Sequence, residues 1–462
     1  MHRRLSPNDA MFLFGESRET MMHVASMMPF TPPPDAPPDF LRNIVDEIRE
    51  IKSVNPPWNL KLETPNWLKN PMAAWIQDTE FDIDYHIRRS ALPSPGDERE
   101  LGVLVSRLHS NPIDFTHPPW EMHLIEGLER GRFALYTKMH HALIDGFTGN
   151  RILARSLATS PTDLDHPLFF ELTEPERKKR DDSVPTTPWE AAKSELGRQF
   201  EAAREVASAV RDFWRATKGD RPVGILEAPR SILNGRIGKN RRFATQQYRL
   251  DHVKALAKQA GGTLNDVVLA LCAASMRRFL KELNALPEQP LVAMLPVNVR
   301  PKDDVGGGNA VGSILVSLAT DVADPLARLE AIMHSTRLAK DVLQGLSRQA
   351  IVQLSALMMM PSGLQTVTGL LGRTRPQFNV VISNVPGPDH PLYFRGARLE
   401  AVYPVSIPIH GQALNITCQS YAGTLNFGFT GCRDTLPHMQ RLAVYTGEAL
   451  AELEAALAKR QV

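Results

Sequence analysis

Residues 133–150 read FALYTKMHHALIDGFTGN, and this stretch decides the fold. Apolar, aromatic and β-branched residues alternate through its first part, which predicts a strand that ends at the histidine pair. An Asp-Gly pair then breaks the pattern, and apolar residues return afterwards at helical spacing. The sequence therefore predicts a strand-to-helix corner that carries His140, His141 and Asp145.

A side chain at such a corner stands at the rim of a sheet, where an imidazole can reach a substrate. Adjacent strand residues point to opposite faces, so one histidine faces a given cleft while the other packs behind it. A neutral imidazole can take a proton from an alcohol as the alcohol oxygen attacks an acyl carbon. Asp145 could orient a ring or pair with a cation, and Gly146 lets the backbone adopt a positive φ. The alternative is a buried pair of histidines that cap the strand through ordinary hydrogen bonds.

The composition indicates a globular protein without a strong net charge. The chain has 462 residues, of which 43% are hydrophobic, enough for two or three domain-sized cores. Its 53 basic and 51 acidic residues nearly cancel, which gives no argument for nucleic-acid binding. The three cysteines lack metal-ligand spacing and leave one unpaired in any disulfide scheme, so we expect core thiols in a reducing compartment. The N-terminus has no continuous apolar region of a secretory signal, and we expect a cytoplasmic protein.

Several motifs, in the same order along most of the chain, carry a family resemblance. HHALIDG at 140–146 resembles the HHxxxDG signature of the CoA-dependent acyltransferase superfamily. LSPNDAMFLFGE at 5–16, with MMHVA after it, resembles the LSPxDxxFLxxE...PMHVG opening of bacterial wax ester synthase/acyl-CoA:diacylglycerol acyltransferases. Met21 and Ala25 replace the usual proline and glycine of that opening. PPWE, TLNDVV, PVNVRP and SNVPGP follow the same family pattern, with Pro119 where leucine is usual.

The resemblance implies an α/β (α+β) fold of two chloramphenicol-acetyltransferase-like halves, each a mixed β-sheet flanked by helices, with an active-site channel between them. We expect the first half at 1–160, a crossover linker with a long helix at 161–238, and the second half at 239–462. The implied reaction transfers a long-chain fatty acyl group from acyl-CoA to a fatty alcohol or a diacylglycerol, without a covalent acyl-enzyme. Acyl-CoA is then a substrate, and no metal or cofactor is expected.

The resemblance also implies roles for individual residues. His141 would act as the general base, and Asp145 would form a structural ion pair with Arg300. A role as a core anchor is a simpler explanation of Trp120. Helix capping alone would explain the Asn265-Asp266 pair. The further residues that the resemblance implies at the site are His140, Gly146, Trp120, Asn265, Asp266, Ser383 and Asn384.

One apolar segment indicates how such a protein could meet its lipids. Residues 349–372 contain no charged side chain and include the run Met358, Met359 and Met360. Pro361 and several polar residues interrupt the segment, so we reject a membrane span. The segment could be a core helix, line an acyl chain, or lie on a lipid surface, for which residues 11–14 are a second choice.

The partners expected from the resemblance are acyl-CoA, the acyl acceptor, and the inner face of the plasma membrane or a lipid-droplet surface. A homodimer is left open. Two other functions stay open beside acyl transfer from CoA. One is a condensation enzyme that uses carrier-protein thioesters, and the other is a noncatalytic lipid-binding protein of the same fold.

Overall fold

The computed structural model describes residues 2–5, 7–64, 74–144, 146–172, 204–208, 211, 221–224, 226–298, 311–344 and 346–460. The chain divides into two units, and the segments of the two units alternate along the sequence. Unit 1 is Met1–Glu174, Ile237–Val253 and Asn384–Val444, and unit 2 is Pro175–Arg236, Lys254–Ser383 and Tyr445–Val462. The expected boundaries near residues 160 and 238 stay a prediction, because most of the crossover segment lies outside the described residues.

The secondary structure elements are numbered in chain order. The strands are β1 (His2–Arg4), β2 (His23–Thr31), β3 (Leu60–Leu62), β4 (Ala74–Gln77), β5 (Ile87–Ala91), β6 (Trp120–Glu126), β7 (Phe133–His140), β8 (Arg241–Arg249), β9 (Val292–Asn298), β10 (Val311–Ser317), β11 (Val380–Val385), β12 (Tyr393–Phe394), β13 (Ala397–Leu399), β14 (Tyr403–Val405), β15 (Leu414–Tyr421) and β16 (Thr424–Cys432). The α-helices are α1 (Pro7–Gly15), α2 (Phe40–Glu50), α3 (Ile83–His86), α4 (Glu98–His109), α5 (Gly146–Arg155), α6 (Leu250–Gln259), α7 (Leu264–Glu282), α8 (Pro325–Leu343), α9 (Arg348–Val367) and α10 (Arg441–Arg460).

Unit 1 is built around a seven-stranded sheet. Its order is β12-β13-β2-β7-β6-β5, and β14 also pairs with β2. The sheet is mixed, because β5 and β6 are parallel whereas β7 is antiparallel to both β2 and β6. The unit also contains a small sheet, β1-β4-β3, and an antiparallel ladder of β15, β16 and β8.

The central strand β7 separates two hydrophobic cores, because successive residues of a strand point to opposite faces of the sheet. Phe133, Leu135 and Met139 lie in one core. Ala134 and Tyr136 lie in the other core, which also holds the buried face of α4. All eight residues of β7 are buried. The predicted strand that ends at the histidine pair is confirmed, and α5 is the predicted helix after it.

Unit 2 has a mixed sheet of its own. Strand β9 is antiparallel to β10 and parallel to β11, and α8 packs on both β10 and α7. The predicted α/β (α+β) class, with mixed sheets and flanking helices, is confirmed. The three cysteines are buried and unbridged, as expected of core thiols. Among the described helices, none combines the length and apolar character needed to cross a bilayer.

Candidate active site

The two histidines of the corner differ in exposure. His140 ends β7 and is fully buried, whereas His141 follows the strand and is half-buried. The His140 amide donates to the Pro119 carbonyl at 2.9 Å, and the His141 amide donates to the Met22 carbonyl at 2.8 Å. Because Pro119 and Met22 directly precede β6 and β2, these bonds tie the corner to both neighbouring strands.

Both ring nitrogens of His140 have partners. Nε2 lies 3.2 Å from Oε2 of Glu16, and Nδ1 accepts a hydrogen bond from the Ala142 amide at 3.1 Å. A backbone amide can only donate, so Nδ1 carries no proton and the ring proton lies on Nε2, facing the carboxylate. Phe115 also packs edge-on against the ring, with centroids 4.9 Å apart. His140 is therefore held in one tautomer within a fully buried site.

The ring of His141 stacks on Phe12 of α1. The two ring centroids are 4.0 Å apart and the planes are inclined by 23°. Phe12 itself packs against the hydrophobic core that contains Phe133. Such stacking restricts the orientation of an imidazole through its face. His141 is thus the more exposed member of the pair.

The predicted ion pair of the motif lies outside the described residues, because neither Asp145 nor Arg300 is among them. Gly146 is the first residue of α5, as the predicted corner requires. The pairing of Asp145 with Arg300 stays a prediction.

Asp266 forms a capping box with Thr263 at the start of α7. Its Oδ2 accepts hydrogen bonds from the Thr263 amide at 2.8 Å and the Thr263 hydroxyl at 2.7 Å. The Asp266 amide donates to Oγ1 of Thr263 at 3.3 Å. These bonds satisfy amide groups that the first turn of a helix leaves open. Helix capping therefore accounts for Asp266, and a substrate contact of Asn265 stays a prediction.

Trp120 is fully buried at the start of β6. Its indole Nε1 donates to the Trp58 carbonyl at 2.8 Å, and its ring stacks on His86 with centroids 4.3 Å apart. These contacts are those of a core anchor, the simpler of the two explanations. Ser383 and Asn384 lie half-buried on β11. A substrate contact of Trp120, Ser383 or Asn384 stays a prediction.

Glu16 and Phe12 contact the histidine pair but were not predicted from the sequence. They stand at the phenylalanine and glutamate positions of the LSPxDxxFLxxE opening, so that motif contained the signal. Glu16 lies 124 residues before His140, so the sequence did not show that the two side chains are in contact.

A buried ion pair lies two residues before His140, on the same face of the sheet. Nζ of Lys138 is 3.3 Å from Oε2 of Glu121, which is directly opposite on β6. Nζ also donates to the Leu108 carbonyl at 3.3 Å and to the Asn111 carbonyl at 3.1 Å. An ammonium group has three protons, and each has an acceptor here.

The carboxylate of Glu121 is ionised within this cluster. Burial acts to raise its pKa, but the hydrogen bond from His123 and the positive charges of Lys138 and Arg88 together lower the pKa to about 2. His123 Nε2 lies 3.1 Å and Arg88 Nη1 lies 3.6 Å from Glu121 Oε2. Opposite charges on β6 and β7 thus pair across these adjacent strands, two residues before His140.

Comparisons with known proteins cover almost the whole chain. Residues 5–268 match the family model described as wax ester synthase/diacylglycerol acyltransferase catalytic domain, and residues 307–454 match the WS/DGAT C-terminal domain. A relative from Mycobacterium tuberculosis, which is named as a diacylglycerol O-acyltransferase, is 53% identical. The alignment covers 98% of this chain and 97% of the relative. The O-acyltransferase WSD of Acinetobacter baylyi is 40% identical over 99% of this chain and 98% of its own.

Solved structures give the same result. The wax ester synthase/diacylglycerol acyltransferase of Marinobacter aquaeolei VT8 aligns with a TM-score of 0.80 and 38% identity, over 99% of this chain and 100% of that one. The first condensation domain of the CDA synthetase aligns with a TM-score of 0.60 and 16% identity, over 99% and 96%. At that identity the second likeness shows the fold alone.

Proposed function

This chain belongs to the wax ester synthase/diacylglycerol acyltransferase family of acyltransferases, and from that premise we propose that it transfers a long-chain fatty acyl group from acyl-CoA to a fatty alcohol or a diacylglycerol. The names of its relatives support these substrates. The observation that carries the mechanism is the contrast within the histidine pair. His140 is buried with both nitrogens bonded, whereas His141 is half-buried at the end of the strand.

In the proposed reaction His141 is the general base. It takes the proton of the acceptor hydroxyl while the hydroxyl oxygen attacks the thioester carbonyl carbon of acyl-CoA. The C–S bond then breaks, and the sulfur of CoA receives the proton from His141. The products are an ester and free CoA, and no acyl group is bound to the protein at any step.

Two alternatives are less well supported. The condensation domain shares the fold at 16% identity, whereas relatives named as wax ester synthase/diacylglycerol acyltransferase or diacylglycerol O-acyltransferase reach 38–53%. The intact HHxxxDG motif at 140–146 favours a catalyst over a noncatalytic lipid-binding protein. The CoA-dependent reaction is therefore the better supported function.

A substrate panel tests this function. We expect the purified protein to form ester from palmitoyl-CoA with hexadecanol, with dipalmitoylglycerol, or with both, and to release CoA in equal amount. Thin-layer chromatography of labelled product and a thiol assay measure the two products. A folded protein that binds these lipids without forming ester would support the noncatalytic alternative, and activity confined to a carrier-protein thioester would support the condensation alternative.

We also propose that α9 is the peripheral contact with a membrane or lipid-droplet surface. Met358 and Met359 pack against the core of unit 2 around Phe378, so the first two methionines of the run do not form the contact. The outward side chains are Leu357, Met360 and Leu364, which are 39%, 53% and 59% exposed.

Their spacing of three and four residues places these side chains on one face of the helix. The segment around them, residues 349–372, has no charged side chain. An exposed apolar face of this kind supports binding at the surface of a lipid layer.

Glutamate substitutions test the contact with lipid. We expect Leu357→Glu/Met360→Glu/Leu364→Glu to prevent flotation with phosphatidylcholine/phosphatidylglycerol vesicles, with an unchanged melting temperature, because the side chains already face water. Met358→Glu/Met359→Glu should instead lower the melting temperature. The matched control is Val103→Glu/Leu164→Glu/Val444→Glu, which adds the same charge at exposed apolar positions outside α9. Unchanged flotation of the folded α9 variant would remove this helix as the anchor.

A further inference from the structure

The opening segment of the chain contacts both histidines of the corner. Phe12 stacks on the ring of His141, and Glu16, the residue after α1, bonds to His140. The segment is itself well anchored, because Leu13 is fully buried in the core and Asp9 accepts a hydrogen bond from Nε1 of Trp75 at 3.4 Å. The anchored segment therefore limits the movement of the two histidines.

Glu16 is connected to His141 by two routes. In the first, its Oε2 accepts the Nε2 proton of His140, and Nδ1 of that ring then accepts the amide of Ala142, the residue after His141. In the second, the same oxygen accepts the Met22 amide at 2.5 Å. The Met22 carbonyl accepts the His141 amide at 2.8 Å. Both peptide groups around His141 are thus held through one carboxylate.

The chemistry of imidazole explains why an acceptor is needed at this position. A neutral ring has one N–H and one unprotonated nitrogen, and the neighbouring groups decide which nitrogen holds the proton. Without an acceptor at Nε2, the proton of the buried ring can move to Nδ1. Two N–H donors, Nδ1–H and the Ala142 amide, would then face each other. The turn would then lose a hydrogen bond that it cannot replace with water, because His140 is fully buried.

We propose that Glu16 is a positioning residue for acyl transfer: it holds His140 in the Nε2–H tautomer and, through His140 and Met22, fixes the backbone on which His141 meets the substrate. This inference rests on the proposed role of His141. It assigns no proton transfer with the substrate to Glu16, whose side chain is 13% exposed and directed at His140 and the Met22 amide.

Kinetics distinguish this role from simple structural support. We expect Glu16→Ala to lower kcat by up to about 10²-fold, the effect of misplacing a catalytic group by about 1 Å, with KM for palmitoyl-CoA and hexadecanol nearly unchanged. Glu16→Gln keeps a carbonyl oxygen that can accept both hydrogen bonds, so it should retain more of the activity than Glu16→Ala. The control is Glu19→Ala, which removes an exposed carboxylate three residues away and should match the wild type.

Nitrogen NMR of ¹⁵N-histidine-labelled protein reads the tautomer directly, with the His140 signals assigned from their loss in His140→Gln. We expect the Nε2–H form in the wild type and a mixture in Glu16→Ala. A wild-type kcat in folded Glu16→Ala, or an Nδ1–H signal for His140 in the wild type, would overturn the proposal. The wild-type spectrum decides even if Glu16→Ala does not fold. Failure of the proposed function looks different, because the wild type would then form no ester or His141→Ala would keep full activity.

Discussion

His141→Ala is expected to lower the rate of ester formation by a factor of about 10² to 10⁴, the usual contribution of a general base. The fold should survive, because the side chain is only half-buried. The hydrogen bond from the His141 backbone amide to the Met22 carbonyl does not depend on the side chain. Initial rates with palmitoyl-CoA and hexadecanol measure the first effect, and thermal melting measures the second.

His140→Ala is the matched control for this substitution. It removes the acceptor of the Ala142 amide and the partner of Glu16 from a fully buried site, so we expect a lower melting temperature than for His141→Ala. Its rate loss should be smaller, because the base remains and only its position is disturbed. An equal rate loss in both variants, with normal melting in both, would contradict the division of roles between the two rings.

Lys138→Met is expected to destabilise the protein by up to roughly 3–5 kcal/mol, because the buried Glu121 carboxylate loses its ammonium partner and keeps only Arg88 and His123. The side chains of Lys138 and Glu121 are 1% and 7% exposed, so water cannot replace the lost contact. The carbonyls of Leu108 and Asn111 lose a donor as well. Urea unfolding, followed by tryptophan fluorescence, measures the change in the free energy of unfolding.

The double variant Glu121→Gln/Lys138→Met tests the cause. Removing both charges should recover part of the lost stability, because no uncompensated charge stays buried.

The pH dependence of stability is a second readout of this ion pair. The pKa of Glu121 lies at about 2, below its usual 4.5, so the ionised carboxylate stabilises the folded protein above pH 4.5 and this contribution is lost as the pH falls through about 2. The double variant should lose this part of the acid dependence, and a double variant less stable than Lys138→Met would contradict the explanation.

The corner at the end of β7 was predictable because local patterns specify it. Alternating residues predicted the strand at 133–140, and the Asp-Gly break predicted the start of α5. The capping box of Asp266 was predictable for the same reason, since Thr263 lies only three residues away. Such features depend on neighbours in the sequence and need no knowledge of the tertiary structure.

Contacts between distant segments were not predictable from local patterns. Glu16 and His140 are 124 residues apart, and the pairing of β2 with β7 and the packing of α1 bring them together. The orientation of α9 was hidden for another reason. Residues 349–372 are uncharged on every side of the helix, so no polar face showed that Met358 points inward and Met360 outward.

The most direct test of the central claim is kcat for ester formation by folded His141→Ala at saturating palmitoyl-CoA and hexadecanol. Saturation removes differences in substrate binding, so the rate reports the chemical step and the proton transfer within it. If His141 is the general base, kcat falls by at least about 10²-fold while the melting temperature stays at the wild-type value. A wild-type kcat in this variant would contradict the role of His141 and, with it, the mechanism.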